Sequence, residues 1–348
     1  CTPQRITAWR EQPFATTTNS PKRDHAMSTA SPLSEALVTV FGGGGFIGNY
    51  VAQALLARGA RVRIACRNPK EAWPLKPLAN LGQLQFANCD ITNEESLKAS
   101  LHGADFVVNL VGAFKGDLIE LMGEAPGRMA AIAEANGAKG FVHLSAIGAD
   151  ADSPTQYAKA KALGEERVLA AFPEATILRP SIVFGKDDNF INMFAGMIEM
   201  LPVLPVFGSE AKLQLVYVDD VAEAAAVALE DPAAHGGHIY ELGGPEQLTM
   251  LDIHQRINAA QGRDTRFMAV SDKTSALFAA IPFTPMSRDQ WTLLKAGSLV
   301  SGEHRTFADL GIQPRPLGLF LDKWMVRYRK HGRFGLSIER AKQRGAVS

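Results

Sequence analysis

The sequence is poor in cysteine, in long apolar runs and in net charge, and each shortage excludes a class of protein. Its three cysteines, Cys1, Cys66 and Cys89, are too few and too scattered for a disulfide framework or a metal site. No metal is therefore expected, and a reducing compartment is favoured. No run approaches the roughly 18 apolar residues of a membrane span, so any membrane contact would be peripheral. Lys plus Arg and Asp plus Glu number 36 each, so the overall charge indicates no nucleic-acid partner.

Glycine, by contrast, is concentrated in one stretch, residues 37–50, with the sequence LVTVFGGGGFIGNY. An apolar run precedes Gly42, Gly45 and Gly48, and a helical pattern follows them, so the order is strand, tight turn and helix. Such a turn lets a pyrophosphate approach the main chain, and the N–H groups of the helix N-terminus bind it. The spacing GxxGxxG is weak by itself, but this context predicts a dinucleotide site.

Strand and helix patterns alternate to about residue 185, which predicts an α/β fold with a Rossmann-type, doubly wound parallel sheet. The pattern then loosens into a smaller, mixed C-terminal lobe for substrate or partner docking. The expected domains are a flexible extension over 1–35, an NAD(P)-binding domain over 36–185, the lobe over 186–335 and a basic tail over 336–348. The lobe is interleaved with the core, because a strand and helix near 216–229 return to it. The extension also resembles a weak organellar presequence.

The end of the second predicted strand, 61–66, indicates which nucleotide the site prefers. In a dinucleotide-binding unit, an acidic residue there bonds the 2′-hydroxyl of the adenosine ribose. Here the position is Arg67, whose guanidinium can pair with a 2′-phosphate and stack on adenine. The sequence therefore favours NADPH over NADH, unless Arg67 is only an exposed residue at a strand end. Asp90, at the end of the third predicted strand, is a candidate acceptor for the adenine amino group.

Three polar residues form a candidate catalytic group. Tyr157 and Lys161 are four residues apart on a predicted helix and so share one face, and Ser145 ends the strand before that helix. A phenol has a reference pKa of about 10, and a nearby ammonium lowers it. The serine hydroxyl can polarise a carbonyl, so the trio suits proton transfer coupled to hydride transfer at a nicotinamide. A Tyr and a Lys at this spacing also occur by chance.

The C-terminal stretch combines an apolar stripe with positive charge. Residues 315–348 contain nine Lys or Arg and two acidic residues. The stripe, spaced as one face of a helix, consists of Leu317, Phe320, Leu321, Trp324, Met325 and Tyr328. This predicts an amphipathic helix that either packs on its own domain or, through the basic segment 317–333, docks on a membrane surface or a partner protein.

A set of motifs resembles the extended or atypical short-chain dehydrogenase/reductases. They are GGGGFIG at 42–48, CDI at 89–91, SAIGAD at 145–150, YAKAK at 157–161, LRPSIVFG at 178–185, VYVDDVAEA at 216–224, RDQWTLL at 288–294 and DLGI at 309–312. Within that family, the sequence is most similar to the branch that includes the NADPH-binding accessory subunit of respiratory complex I and its bacterial relatives. The resemblance covers about residues 36–335.

The resemblance implies a cofactor-binding set that follows the strand ends. Gly42, Gly45 and Gly48 would hold the pyrophosphate and Arg67 the 2′-phosphate, while Pro180 would pack beside the nicotinamide. The whole implied set is Gly42, Gly45, Phe46, Ile47, Gly48, Arg67, Asp90, Ile91, Val111, Gly112, Tyr157, Lys161 and Pro180, with Ser145, Tyr157 and Lys161 as a catalytic trio that could be vestigial. Tyr157 and Lys161 would hold the nicotinamide ribose.

Two departures from the family's pattern bear on activity. The segment after Gly112, AFKGDLIELMGEAPG, lacks the family's usual histidine- or asparagine-led helix start near 124–127. The predicted substrate half also shows no second convergent set of acid, base or sugar-binding residues beyond Ser145. The missing substrate-binding set fits a nucleotide that is held and not turned over, as the resemblance to the accessory-subunit branch implies.

The resemblance therefore implies an accessory, structural or assembly subunit of the respiratory NADH:quinone oxidoreductase, in contact with other complex I subunits. It would be peripheral, on the cytoplasmic face of a bacterial inner membrane or, alternatively, on the matrix side of the mitochondrial inner membrane. The alternative function is a free NADP-dependent short-chain reductase or sugar-nucleotide epimerase/dehydratase that uses Tyr157 and Lys161.

Overall fold

The computed structural model of this chain describes residues 31–275, 287–330 and 332. The strands are β1 Leu37–Phe41, β2 Arg61–Cys66, β3 Leu84–Asn88, β4 Phe106–Asn109, β5 Gly140–Leu144, β6 Thr176–Pro180, β7 Val183–Phe184, β8 Val203–Phe207, β9 Lys212–Leu213, β10 Val216–Tyr217, β11 Ile239–Leu242, β12 Leu248–Thr249 and β13 Arg266–Val270. The α-helices are α1 Phe46–Ala57, α2 Glu94–Leu101, α3 Ala125–Ala135, α4 Gln156–Ala171, α5 Phe190–Met200, α6 Val218–Glu230, α7 Pro232–His235, α8 Met250–Gln261, α9 Arg288–Ala296 and α10 Gly318–Trp324. Pro69–Leu78, Phe307–Leu310 and Met325–Tyr328 are 3-10 helices, and Glu120–Glu124 is a π-helix.

A seven-stranded sheet in the order β11, β6, β5, β4, β1, β2, β3 forms the centre of the fold. All of its neighbouring strands run parallel. Strands covered on both faces are apolar throughout, and all five residues of β1 are buried. The chain leaves β1 towards β2 and later returns to β4 on its other side. Such a switch point opens a crevice at the carboxyl ends of the strands. The predicted Rossmann-type fold is confirmed.

Helices cover both faces of this sheet. On one face α1 packs against α6, and on the other α3 packs against α2 and α4. Side chains of a strand alternate between faces, and β1 follows this rule. Val38 and Val40 belong to the apolar cluster that contains residues of α1 and α6. Phe41 belongs to the cluster that contains Met129 of α3 and Val168 of α4.

The chain after residue 185 contributes both to the central sheet and to a separate apolar cluster. Residues of α5, α8, α10 and β8 form that cluster, and β8 pairs with β13. Helix α6 returns to pack on α1, and β11 pairs with β6 at the edge of the sheet. No pattern in the sequence predicts β11. The predicted boundary at residue 185 stays a prediction.

The C-terminal stripe packs inside the protein. It forms α10 followed by a 3-10 turn, instead of the single helix that its spacing predicts. Leu317, Leu321 and Met325 are buried in the cluster with α5 and α8. The rings of Phe320 and Trp324 stack with a centroid distance of 4.9 Å at the edge of that cluster. The stripe therefore packs on its own domain, and its apolar side is not free to enter a membrane.

Five residues of the predicted flexible extension, 31–35, are folded. Leu33 is fully buried in the cluster with α1 and α6, and the Ser31 hydroxyl donates a hydrogen bond to Glu230. The extension therefore cannot include these residues, because an apolar side chain anchors them. Residues 1–30 and the predicted tail lie outside the described residues. Within the described ranges, no helix is long and apolar enough to cross a membrane.

Candidate nucleotide site

The glycine turn between β1 and α1 is shaped so tightly that side chains are excluded from it. Gly42 has a φ of +74°, and a Cβ on Gly48 would lie 2.5 Å from the Gly42 carbonyl oxygen. Gly45 is the N-cap residue of α1, no side chain caps it, and the first turn of the helix carries no acidic residue. Its backbone N–H groups therefore remain available for an anion, as a pyrophosphate site requires.

The turn forms one end of a large cleft of about 1780 Å³ along the carboxyl edge of the sheet. Every residue proposed from the sequence lines this cleft: Gly42, Gly45, Phe46, Ile47, Gly48, Arg67, Asp90, Ile91, Val111, Gly112, Ser145, Tyr157, Lys161 and Pro180. They come from the ends of β1 to β6 and from α1 and α4. The topology thus brings together residues that are up to 138 positions apart in the sequence. Their roles towards a nucleotide stay predictions.

Two charged residues lie at the end predicted to hold the adenosine. Arg67 is exposed, and its guanidinium makes no hydrogen bond or ion pair with any described residue. Asp90 is exposed as well, and it accepts hydrogen bonds from the backbone N–H and the hydroxyl of Thr92. These bonds lower the pKa of Asp90, so it is a carboxylate at neutral pH. Because the guanidinium of Arg67 has no partner among the described residues, it is free to pair with a ligand.

Lys161 lines the cleft and is buried. Its Nζ donates to the backbone carbonyl of Leu144 at 2.8 Å and to that of Val111 at 3.4 Å. Burial lowers the pKa of Lys161 to about 8, against the opposing effect of Glu165 one helical turn later. The ammonium thus ties α4 to the ends of β4 and β5. Two of the three protons of the ammonium are donated to carbonyls, so one proton remains for a ligand.

Tyr157 does not have the lowered pKa expected from a neighbouring lysine. Burial instead raises its pKa to about 12, so the phenol is almost wholly protonated at neutral pH. The ring stacks on Phe114 with a centroid distance of 4.8 Å and an angle of 11° between the planes. Lys161 directs its protons to backbone carbonyls and therefore does little to stabilise a phenolate. As an acid/base catalyst Tyr157 is poorly poised in this arrangement.

A model of the NAD dependent epimerase/dehydratase family matches residues 38–243, which include the turn, Arg67, Ser145, Tyr157 and Lys161. The chain belongs to this family. The family and the fold together support a nicotinamide cofactor.

Two relatives that match this chain over most of their length share the same name. The chain is 32% identical over 333 residues to NADH dehydrogenase (ubiquinone) 1 alpha subcomplex subunit 9, mitochondrial, of Arabidopsis thaliana, with 88% of this chain and 82% of that protein covered. The protein of the same name from Mus musculus is 29% identical over 335 residues, covering 93% and 89% of the two chains. Among solved structures, Citrobacter sp. triphenylmethane reductase is 20% identical, with a TM-score of 0.69 and coverage of 83% and 99%. At that identity it shows the fold alone.

A buried polar pair in β4 and β5 was not predicted from the sequence. Asn109, at the end of β4, accepts a hydrogen bond from the N–H of Val111 and donates to His143 Nδ1 at 3.0 Å. The imidazole proton is therefore assigned to Nε2, which has no partner among the described residues. Burial lowers the pKa of His143 to about 3, so the ring stays neutral. Two polar residues inside otherwise apolar strands are the signal that could have revealed the pair.

A bidentate ion pair beside the cleft was missed as well. Arg179 donates to both carboxylate oxygens of Glu165, at 2.8 and 2.6 Å, and joins α4 to β6. Arg179 directly precedes Pro180, and Glu165 follows Lys161 by one helical turn. The pair therefore fixes the two elements that carry these cleft residues. The signal in the sequence is the charged residue next to Pro180 in a strand that is otherwise apolar.

Proposed function

We propose that this protein is an NADPH-holding accessory subunit of the respiratory NADH:quinone oxidoreductase. The observation that carries the proposal is the match over about nine-tenths of the chain to relatives that are named as subunits of this enzyme. Their names also include "mitochondrial", which favours the mitochondrial inner membrane over the bacterial one. The other subunits of the complex are the proposed partners.

The chemistry of the cleft supports a nucleotide that is held and not turned over. The phenol of Tyr157 keeps its proton because burial raises its pKa to about 12. The ring of Phe114 stacks on the face of the Tyr157 ring. Lys161 and the glycine turn can still bind ribose and pyrophosphate, because binding requires no change in protonation. Holding and catalysis are thus separable in this site.

A sugar-nucleotide epimerase or dehydratase is less well supported. Such a substrate brings a second diphosphate, which needs cations or free N–H groups. Among the described residues that line the cleft from 189 to 298, none is Lys or Arg. The cations of the cleft, Arg67 and Lys161, lie where the first nucleotide is proposed to bind. In the rest of the cleft, among the described residues, no cationic side chain is therefore available to pair with the diphosphate of such a substrate.

We propose that any membrane contact is made by the charged side chains of the basic segment and not by the apolar stripe. Leu317, Leu321 and Met325 are used by the interior, whereas Lys323 and Lys330 are exposed. Each exposed cation near an anionic membrane adds about 1 kcal/mol to binding. Contact through the described part of the basic segment 317–333 would accordingly weaken with salt, as surface electrostatics do.

The test is to purify the NADH:quinone oxidoreductase from the cells that make this chain, in a mild detergent. The chain should migrate with the complex on native electrophoresis and carry one NADPH. That NADPH should remain reduced when the intact complex is offered carbonyl substrates. Absence of the chain from the complex would refute the subunit role. Oxidation of its NADPH in repeated turnovers would instead support the free reductase.

A further inference from the structure

The cleft is larger than one ligand pocket. Pockets for small ligands usually measure about 300–1000 Å³, whereas this cleft encloses about 1780 Å³. The residues proposed to hold the nucleotide account for one end, as far as Pro180. Beyond Pro180 the cleft continues between α5, α8 and α9. We call this continuation the apolar arm; it is lined by Phe190, Met193, Phe194, Met197, Leu204, Phe207, Leu213, Met250, His254, Leu293 and Leu294.

The lining of the apolar arm excludes charged ligands. None of the described cleft residues between 189 and 298 is Asp, Glu, Lys or Arg. Asp188 also lines the cleft, but its carboxylate accepts hydrogen bonds from the N–H groups of Gly185 and Ile191. His254 does not supply a charge, because burial lowers its pKa and its Nδ1 is hydrogen-bonded to the Met250 carbonyl. A phosphate or carboxylate placed here would lose its hydration without a partner. Apolar surface and flexible methionines instead favour a hydrocarbon of variable shape.

One buried hydroxyl group in the same cleft has no hydrogen-bond partner among the described residues. Ser145 is only 3% exposed, and its hydroxyl has no hydrogen-bond partner among the described residues. A buried hydroxyl without a partner is costly, so a ligand that bonds to it gains a matching interaction. Ser145 lines the same cleft as Pro180, Lys161 and the residues of the apolar arm. It can bond one uncharged carbonyl or hydroxyl group.

We propose that the apolar arm binds one hydrocarbon chain of a molecule whose uncharged hydroxyl or carbonyl head reaches Ser145. Met193, which is 46% exposed, lies at the rim where such a chain enters. The chemistry fits a straight acyl chain and an isoprenoid chain alike, and the experiment below separates them. This inference goes beyond the proposed function, because it requires the cleft alone and not assembly into a larger complex.

The test uses the full chain saturated with NADPH, so that the nucleotide end of the cleft is filled. Nile red, an uncharged dye that brightens in apolar surroundings, should bind to the loaded protein. Decanol represents the straight chains and farnesol the isoprenoids, and each is titrated as a competitor. Displacement by decanol alone, by farnesol alone or by both identifies the accepted chain. Failure of both to displace the dye, or failure of the dye to bind, overturns the proposal.

A chain-length series on the unmodified protein adds a test that no misfolded variant can obscure. Each buried methylene strengthens binding by about fourfold. Competition by hexanol, octanol and decanol should therefore strengthen by about that factor per added methylene. If farnesol alone competes, geraniol, which is one isoprene unit shorter, should compete more weakly than farnesol. Equal potency along the series would contradict insertion of the chain into the arm.

Two lysine substitutions on α5 locate the binding site. Met197→Lys places a cation on the wall of the apolar arm and should weaken dye binding by at least about tenfold. Met200→Lys makes the same change at a side chain that is 81% exposed and outside the cleft lining, and should have little effect. NADPH binding, followed by its own fluorescence, should persist in both variants. Equal weakening by the two variants would place the dye elsewhere and refute the arm.

Ser145→Ala tests the head group. Removal of one hydrogen bond should weaken decanol or farnesol by about fivefold and leave the competition by decane, which has neither a hydroxyl nor a carbonyl group, unchanged. If the alcohols bind equally well to the variant, Ser145 does not hold the head. If the unmodified protein does not bind NADPH, the proposed nucleotide is wrong, and this result does not bear on the apolar arm. Binding of Nile red to the nucleotide-free chain then tests the arm.

Discussion

Arg67 is the residue whose charge should select between the two nicotinamide dinucleotides. It is exposed in the cleft and has no partner among the described residues, so it can pair with a 2′-phosphate at little cost. A hydrogen bond between charged groups contributes about 1.5–3 kcal/mol. Arg67→Asp should therefore lower the affinity for NADPH relative to NADH by at least about tenfold, as measured by fluorescence titration.

Lys70→Asp is the matched control for this substitution. It makes the same change in charge three residues later, at an exposed side chain that does not line the cleft. The ratio of the two affinities should stay within about twofold of that of the unmodified protein, since exposed charges outside a site interact weakly. An unchanged ratio in Arg67→Asp as well would mean that the strand end does not meet the 2′-phosphate.

Lys161 should make the stability of the nucleotide-free protein rise with pH. Its pKa is about 8 in the folded chain and 10.5 in its unperturbed state, so the unfolded chain binds more protons between these values. The free energy of unfolding should therefore gain about 3 kcal/mol from this group as the pH rises from 8 to 10.5. Urea denaturation of the unmodified protein and of Lys161→Met, which lacks the group, measures the difference.

Lys159→Met provides the comparison on the same helix. Lys159 is exposed, so its removal should leave the slope of stability against pH unchanged. If Lys161→Met has the same slope as the unmodified protein, the ammonium is not held in the buried position between Leu144 and Val111.

At the scale of elements, α10 separates the two interpretations of the C-terminal stripe. Leu321 is 4% exposed and packs in the cluster with α5 and α8, whereas Leu319 on the same helix is 57% exposed. Leu321→Ala should lower the free energy of unfolding by about 2–5 kcal/mol, because it leaves a cavity. Leu319→Ala should change it by less than about 0.5 kcal/mol. Equal effects in urea denaturation would mean that the apolar side of the stripe is not part of the interior.

Elements with a regular pattern were predictable, and those shaped by tertiary contact were not. Helix α4 and strands β2 and β5 lie where the sequence places them, since their periodicity is complete within each element. The π-helix Glu120–Glu124, in the segment after Gly112, is not predicted by any pattern in the sequence. A Cβ on Gly164 would lie 2.1 Å from the Met122 carbonyl oxygen, so this turn is fitted to the surface of α4. Such close approach has no periodic signal in the sequence.

At the scale of the whole molecule, the cleft is built from residues of both halves of the chain. The nucleotide end comes from the ends of the sheet strands, and the apolar arm comes from α5, α8 and α9. The sequence indicated the first end because a glycine turn, a cationic strand end and a Tyr–Lys helix have local spacing. It did not indicate the arm, since its apolar residues resemble ordinary core positions until packing leaves a space between them.

The Rossmann-type sheet, the glycine turn and the residues that meet along the cleft are predictable from the sequence, because strand periodicity and topology place them at one edge. The sequence also carries the family resemblance. The protonation and contacts of those residues, in contrast, follow from tertiary packing. Burial raised the pKa of Tyr157, backbone carbonyls occupied Lys161, and Phe114 stacked on the tyrosine ring. The protonation state of Tyr157 and the stacking of Phe114 on its ring depend on neighbours that are distant in the sequence, and no local sequence pattern records them.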